Sequence, residues 1–189
     1  LTIAGRAGEY PQAFWSSMID DLPEDITPRL RRVFLNRLTR LPHQVVLELR
    51  HSLGSWLEKN LNSAIEFDND LGWAVYDHIV DCIHNGGSGA TKSGIGEISR
   101  RGEVIERSRR TFGHAINGPL GKCTTALFRA VPSKKQEPGS LIPMHIKSRI
   151  ERLFAAPGEG SDHAVSIVMR QLKWLLSVDP SWTKDSLIP

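Results

Sequence analysis

Residues 86–93 set glycines, a lysine and a serine in nearly the order of a phosphate-cradling loop, G-x-x-x-x-G-K-[ST]. Lys92 and Ser93 fall in register, but Thr91 stands where the second glycine belongs. Such loops work because a buried strand feeds a turn whose N–H groups face phosphate at a helix start. Here an amphipathic helical pattern precedes the glycines, so residues 86–96 read as a flexible interhelical connection. His78 and Cys82 lie one helical turn apart, with Asp77, Asp81 and His84 nearby. Imidazole with thiolate suits zinc, yet a site needs further ligands, and no second cluster is within sequence reach. Cys82 is expected at the core boundary, and Asp77, Asp81 and His84 on a solvated face. Neither a metal nor a cofactor is expected.

For acyl transfer the residues are unpromising. There is no nucleophile elbow, and no His/Asp/Ser trio is recognisable from spacing. The pairs Asp20-Asp21 and Glu24-Asp25 sit beside helix starts, where carboxylates favour the dipole. No catalytic residue is assigned. The positive signal is electrostatic. Residues 92–135 hold ten Lys/Arg against three Asp/Glu, whereas residues 1–91 hold eight against twelve. Arg100, Arg101, Arg107, Arg109, Arg110 and Lys122 are therefore the candidate partner-binding residues, since a field so concentrated speaks of partners rather than fold. Guanidinium groups suit bidentate carboxylate or phosphate contacts. Phe112 and Phe128 both fall on the apolar stripe, so no base-stacking platform is evident. Pairing with a protein, or with acidic residues of this same chain, ranks above a nucleic-acid-binding module on the same face.

Helical periodicity must position these groups. Thr27-Pro28 reads as a cap with proline in the first turn, leading to a stripe of Leu30, Val33, Phe34, Leu38 and Leu41. Val45, Val46, Leu49, Leu53, Trp56, Leu57 and Leu61 make a second stripe, and Leu71, Val75, Ile79 and Ile83 a third. An earlier short helix is expected over residues 11–20, with Phe14, Trp15 and Met18. Gly118-Pro119 should end one helix and start another through Leu120, Cys123, Leu127 and Val131. Residues 132–140 read as a linker. A short helix follows through Ile146, Ile150, Leu153 and Phe154. Ser161-Asp162 is expected to cap the last long helix, whose apolar residues from Val165 to Leu176 nearly encircle it and so predict a central place. Asp179-Pro180 looks like a further cap ahead of Trp182. Five tryptophans (15, 56, 73, 174 and 182) fall mostly on apolar stripes and read as packing. Residues 95–105 are the only weak strand candidate. A local likeness between residues 43–50 and 163–170 decays at once, so no repeat is established.

The expected fold is all-α: an antiparallel bundle or an irregular stack of helical pairs, of about seven to nine helices in one domain. The 189 residues suffice for a substantial core. No apolar run approaches the ~20 residues of a membrane span. Two cysteines are too few for a disulfide scaffold, which makes a reducing, cytoplasmic setting the default. The chain opens on Leu1 rather than Met, and a piece of a longer protein is expected.

Two stretches carry a resemblance. One runs from Ser108-Arg109-Arg110-Thr111-Phe112-Gly113-His114 to Leu127. The other joins Arg149-Ile150-Glu151-Arg152-Leu153-Phe154 to the run from Trp174 through Asp179-Pro180-Ser181-Trp182-Thr183, ending Leu187-Ile188-Pro189. Together they resemble the helical carboxy-terminal region of large bacterial antiphage-defence proteins, some of which carry an amino-terminal sirtuin-type NAD-hydrolysing domain. The resemblance covers about the second half of the chain and rests on structural motifs. It implies a helical, repeat-like sensor or scaffold segment, with any NAD chemistry elsewhere in the parent protein. With no βαβ pattern and no G-x-G-x-x-G after a strand, no catalytic residue is carried over.

Overall fold

A computed structural model describes residues 17, 19, 26–96, 98–100, 103–105, 108–131 and 137–188. Thr27 accepts from the Leu30 N–H at 3.4 Å and Pro28 fills the first turn of α1 (Pro28–Leu38). Pro42 precedes α2 (His43–Phe67), which ends at Asp68. That single residue also caps α3 (Asn69–Asn85) by accepting from Leu71 N at 3.1 Å. A one-residue connection leaves the two helices no choice but to fold back on one another. Leu47 near the start of α2 accordingly lies beside Gly86 at the end of α3.

A single turn, α4 (Gly87–Ala90), follows. The strands β1 (Ile98–Arg100) and β2 (Glu103–Ile105) pair antiparallel, with Ile98 opposite Ile105. Then come α5 (Phe112–Asn117), α6 (Pro119–Ala130), α7 (Met144–Phe154), α8 (Glu159–Met169), α9 (Leu172–Val178) and α10 (Pro180–Leu187). The architecture is all-α with one minimal ladder, and none of the described helices is long and apolar enough to cross a membrane.

The centre belongs to α2. Nine of its residues are buried, Leu49, Leu53, Leu57 and Leu61 among them, and both α3 and α6 pack on it. α6 passes onward to α8, and α8 to α5 and α7. Asp179 caps α10 as expected, accepting from Trp182 N at 3.3 Å, and also takes the Ile142 N–H at 3.2 Å and the Lys147 ammonium at 2.6 Å. Burial alone would raise this carboxyl; the Lys147, Trp182 and Ile142 donors outweigh it and hold it below its usual range.

The all-α expectation holds: ten helical segments are described, eight of them of seven residues or more. Several other expectations are corrected. The predicted last long helix breaks at Arg170 and Gln171 into α8 and α9, and Val165 and Met169 are 40% and 42% exposed, so it is buried on one face rather than all round. Its cap is also misread: α8 begins at Glu159, two residues before Ser161, after Gly158 at φ +59°. Leu30 and Val33 face solvent, while Leu35, absent from the predicted stripe, is buried. The glycine-rich connection contains helix α4 and buries Ala90, Thr91 and Ser93. Asp77 and Asp81 are not merely solvated: Asp77 takes Arg149 in a bidentate pair at 2.9 and 2.5 Å, and Asp81 pairs with Arg152. The helix expected over residues 11–20, Trp15 and residues 132–136 of the linker lie outside the described residues, apart from Ser17 and Ile19.

Close backbone approach sets two glycines. A Cβ on Gly121 of α6 would overlap the Ala115 carbonyl of α5, and one on Gly72 would meet Ile65 N of α2 at 2.7 Å. Helix backbone cannot yield as a flexible side chain can. Gly121→Ala should therefore cost ~2–3 kcal/mol by overpacking, read in urea unfolding. Gly89→Ala, with open space around it, should change stability by less than ~0.5 kcal/mol.

Candidate functional site

Glu159 gathers the candidate site. At the first position of α8 it is held by Gly158, where a Cβ would meet Ser88 Cβ at 2.7 Å. Thr91 pins the glycine-rich segment to the same turn, donating from Oγ1 to the Pro157 carbonyl at 2.9 Å. Ser93 N–H then reaches Glu159 Oε2 at 3.2 Å, while Arg109 Nε donates to Oε1 of the same carboxylate. The guanidinium also donates to the Ile95 carbonyl at 3.2 Å, the Ser93 carbonyl at 3.3 Å and Ser93 Oγ at 3.1 Å. Burial would raise the Glu159 carboxyl, but Arg109 and the Ser93 N–H overcome it and keep it lower than ordinary.

Around this carboxylate lie a serine and two histidines. Ser93 Oγ shares a 2.6 Å hydrogen bond with His114 Nδ1. His163 has no exposed surface, its Nε2 lies 3.7 Å from Glu159 Oε2, and neither ring nitrogen makes a hydrogen bond of good geometry. Burial lowers its pKa, with Glu159 and the Arg109 backbone pulling the other way.

A serine hydroxyl on an imidazole nitrogen is the beginning of a nucleophile–base pair. Acyl transfer also needs free N–H donors where an oxyanion would develop. Here Ser93 N–H is engaged by Glu159 and Gly94 N–H by the Asn117 carbonyl at 3.1 Å. Ser93 is moreover buried. The arrangement is built as a polar staple holding residues 91–96 and 108–114 to the start of α8.

The sequence-predicted basic residues divide. Arg109 is absorbed in the staple. Lys122 lies partly buried across Gly54 of α2 and donates to Ser55 Oγ at 2.8 Å. Arg110 pairs with Asp162 at 3.0 Å, with side chains 76% and 33% exposed. Arg100 lies on β1, while Arg101 and Arg107 are outside the described residues. Beside the staple opens a cleft of about 520 Å³ lined by Ser88, Lys92, Ser108, Arg109, Arg110, Gly158, Glu159 and Asp162. Spacing alone could not reveal this cluster, because Ser93, His114 and Glu159 come from segments up to 66 residues apart. The nearest sequence clue was the Lys92-Ser93 match to the phosphate-loop pattern. At the other candidate, His78 Nε2 lies 2.9 Å from the Leu41 carbonyl and 4.0 Å from Cys82 Sγ. No metal-holding group of His, Cys, Asp and Glu occurs among the described residues.

The two neighbouring arginines should behave differently in urea unfolding. Arg109→Ala, which strands a half-buried carboxylate, should cost ~2–3 kcal/mol. Arg110→Ala should stay within ~0.5 kcal/mol, as an exposed pair does. Stability should also rise with pH between about 5 and 7. Unfolded imidazole takes a proton near ~6.5, whereas folded His51, His145 and His163 are all lowered, chiefly by burial. The unfolded state therefore binds more protons in that window, and stability is lost as pH falls through it. His163→Phe should flatten this slope in urea titrations repeated across pH.

No family model, curated protein or solved structure matches this chain.

Proposed function

We propose that the chain is a non-catalytic helical interaction or sensor segment of a larger bacterial defence-type protein, presenting a basic surface to a protein partner or a neighbouring domain. The observation that carries this reading is the excess of ten Lys/Arg over three Asp/Glu in residues 92–135, set in an all-helical scaffold. Lys92 and Arg110 extend into solvent at one cleft, which supports it. The engaged backbone amides at Ser93 and Gly94 argue against acyl-transfer chemistry at the Ser93–His114 pair. The defence-type parent rests on the resemblance of residues 108–127, 149–154, 174–183 and 187–189 alone.

Sequencing the reading frame of the parent clone tests that last element. An upstream nucleotide-hydrolysing or nuclease domain is expected; a frame that begins and ends near these residues sinks it. In the parent protein, joint replacement of Arg100, Arg101 and Arg107 by Glu should abolish association with the partner or neighbouring domain and leave the helical circular dichroism intact. Loss of the helical signal would make these arginines structural instead.

A further inference from the structure

The basic residues differ in what they have left to offer. Arg109 donates four hydrogen bonds within the chain, and Lys122 is drawn onto Ser55. Lys92 is exposed and has no hydrogen bond or ion pair among the described residues. Arg110 has one weak tie, the 3.0 Å pair with Asp162, whose side chains are 76% and 33% exposed. Exposed pairs of this kind contribute ~0–1 kcal/mol, so a carboxylate arriving from outside can replace Asp162 at little loss.

Both cations open on the same cleft, where the Ser88 and Ser108 side chains add exposed hydroxyl donors. Its walls hold no aromatic ring, so nothing there can stack a base. Glu159 and Asp162 also line it and would repel the continuous charge of a phosphate backbone. Spaced carboxylates suit it better, because they can meet Lys92 and Arg110 singly.

We propose that the cleft formed by Ser88, Lys92, residues 108–110 and the first turn of α8 docks an acidic segment of a partner protein, with Lys92 and Arg110 taking its carboxylates and Asp162 acting as the internal competitor that the partner displaces. This rests on the interaction reading above and narrows it to one place and one partner chemistry. Asp162 then sets a threshold, since only a segment offering better-placed carboxylates occupies Arg110.

Fluorescence anisotropy of a fluorescein-labelled peptide whose three glutamates are separated by Gly-Ser pairs, with the 189-residue chain, tests it at low and moderate salt. Binding that weakens as salt rises is expected. Lys92→Ala with Arg110→Ala should weaken it by about tenfold or more, the equivalent of ~1.4 kcal/mol. Asp162→Asn, which leaves Arg110 without its competitor, should tighten it severalfold. A fluorescein-labelled hexathymidylate should bind more weakly than the peptide. Peptide binding that survives Lys92→Ala with Arg110→Ala, yet is lost on joint replacement of Arg100, Arg101 and Arg107 by Ala, would overturn the cleft and leave the basic-face reading standing. An absence of binding at low salt by the unaltered chain would remove both. Preference for the oligonucleotide would overturn the protein partner, and unchanged affinity in Asp162→Asn would overturn its role as competitor. Thermal unfolding of each variant separates lost binding from lost fold.

Discussion

Helix α2 must be dry along most of its length, and the remaining helices are arranged by that demand. Val46, Leu49, Leu53, Leu57 and Leu61 have almost no exposed surface. Each such side chain contributes ~1.5–3 kcal/mol when taken fully from water. No single neighbour covers a stripe that broad, so α3 closes one side and α6 the other. Their approach is set by missing side chains: Gly72 lets the start of α3 lie on the end of α2, and Gly54 admits the Lys122 stem and the Pro119 carbonyl. α6 in turn carries α5 and α8. The polar staple at Glu159 is thus several contacts removed from the core helix, yet fixed by it.

Much of this frame was legible in the chain. The stripes of α2 and α3, the Thr27 and Asp179 caps, and the prolines at Pro28, Pro119 and Pro180 are local signals, and local signals are what periodicity and capping report. The errors have a common physical source. Residues 163–176 are apolar enough to suggest one buried helix, but periodicity cannot register the 3.2 and 2.8 Å turn bonds at Arg170 and Gln171 that end α8. Ser161-Asp162 looks like a cap, yet the helix starts earlier because Gly158 alone can adopt the turn that brings Ser88 against it. The Ser93, His114, Glu159 and His163 cluster was not legible at all. Each member is unremarkable in its own segment, and only tertiary packing brings them together.

The charge pattern was read correctly as a count and incompletely as a surface. An excess of arginine along the chain does not say which guanidinium groups remain available. Arg109 and Arg110 are neighbours with opposite fates, one enclosed by four acceptors and one projecting into solvent. The acidic counterparts are also not those suggested by the negative amino-terminal half. Glu58 does take Arg129 at 2.9 Å, but Arg109 and Arg110 find Glu159 and Asp162 on α8.

Asp179 has a consequence for how the molecule comes apart. Its carboxylate joins the cap of α10 to the backbone of Ile142 and to Lys147 on α7, across 37 and 32 positions of sequence. Short helices such as α9 and α10 have little stability of their own and would otherwise fray. Tied to α7 through a buried charge, they are placed in the same cooperative unit as the core, and the carboxyl-terminal end opens when that unit does.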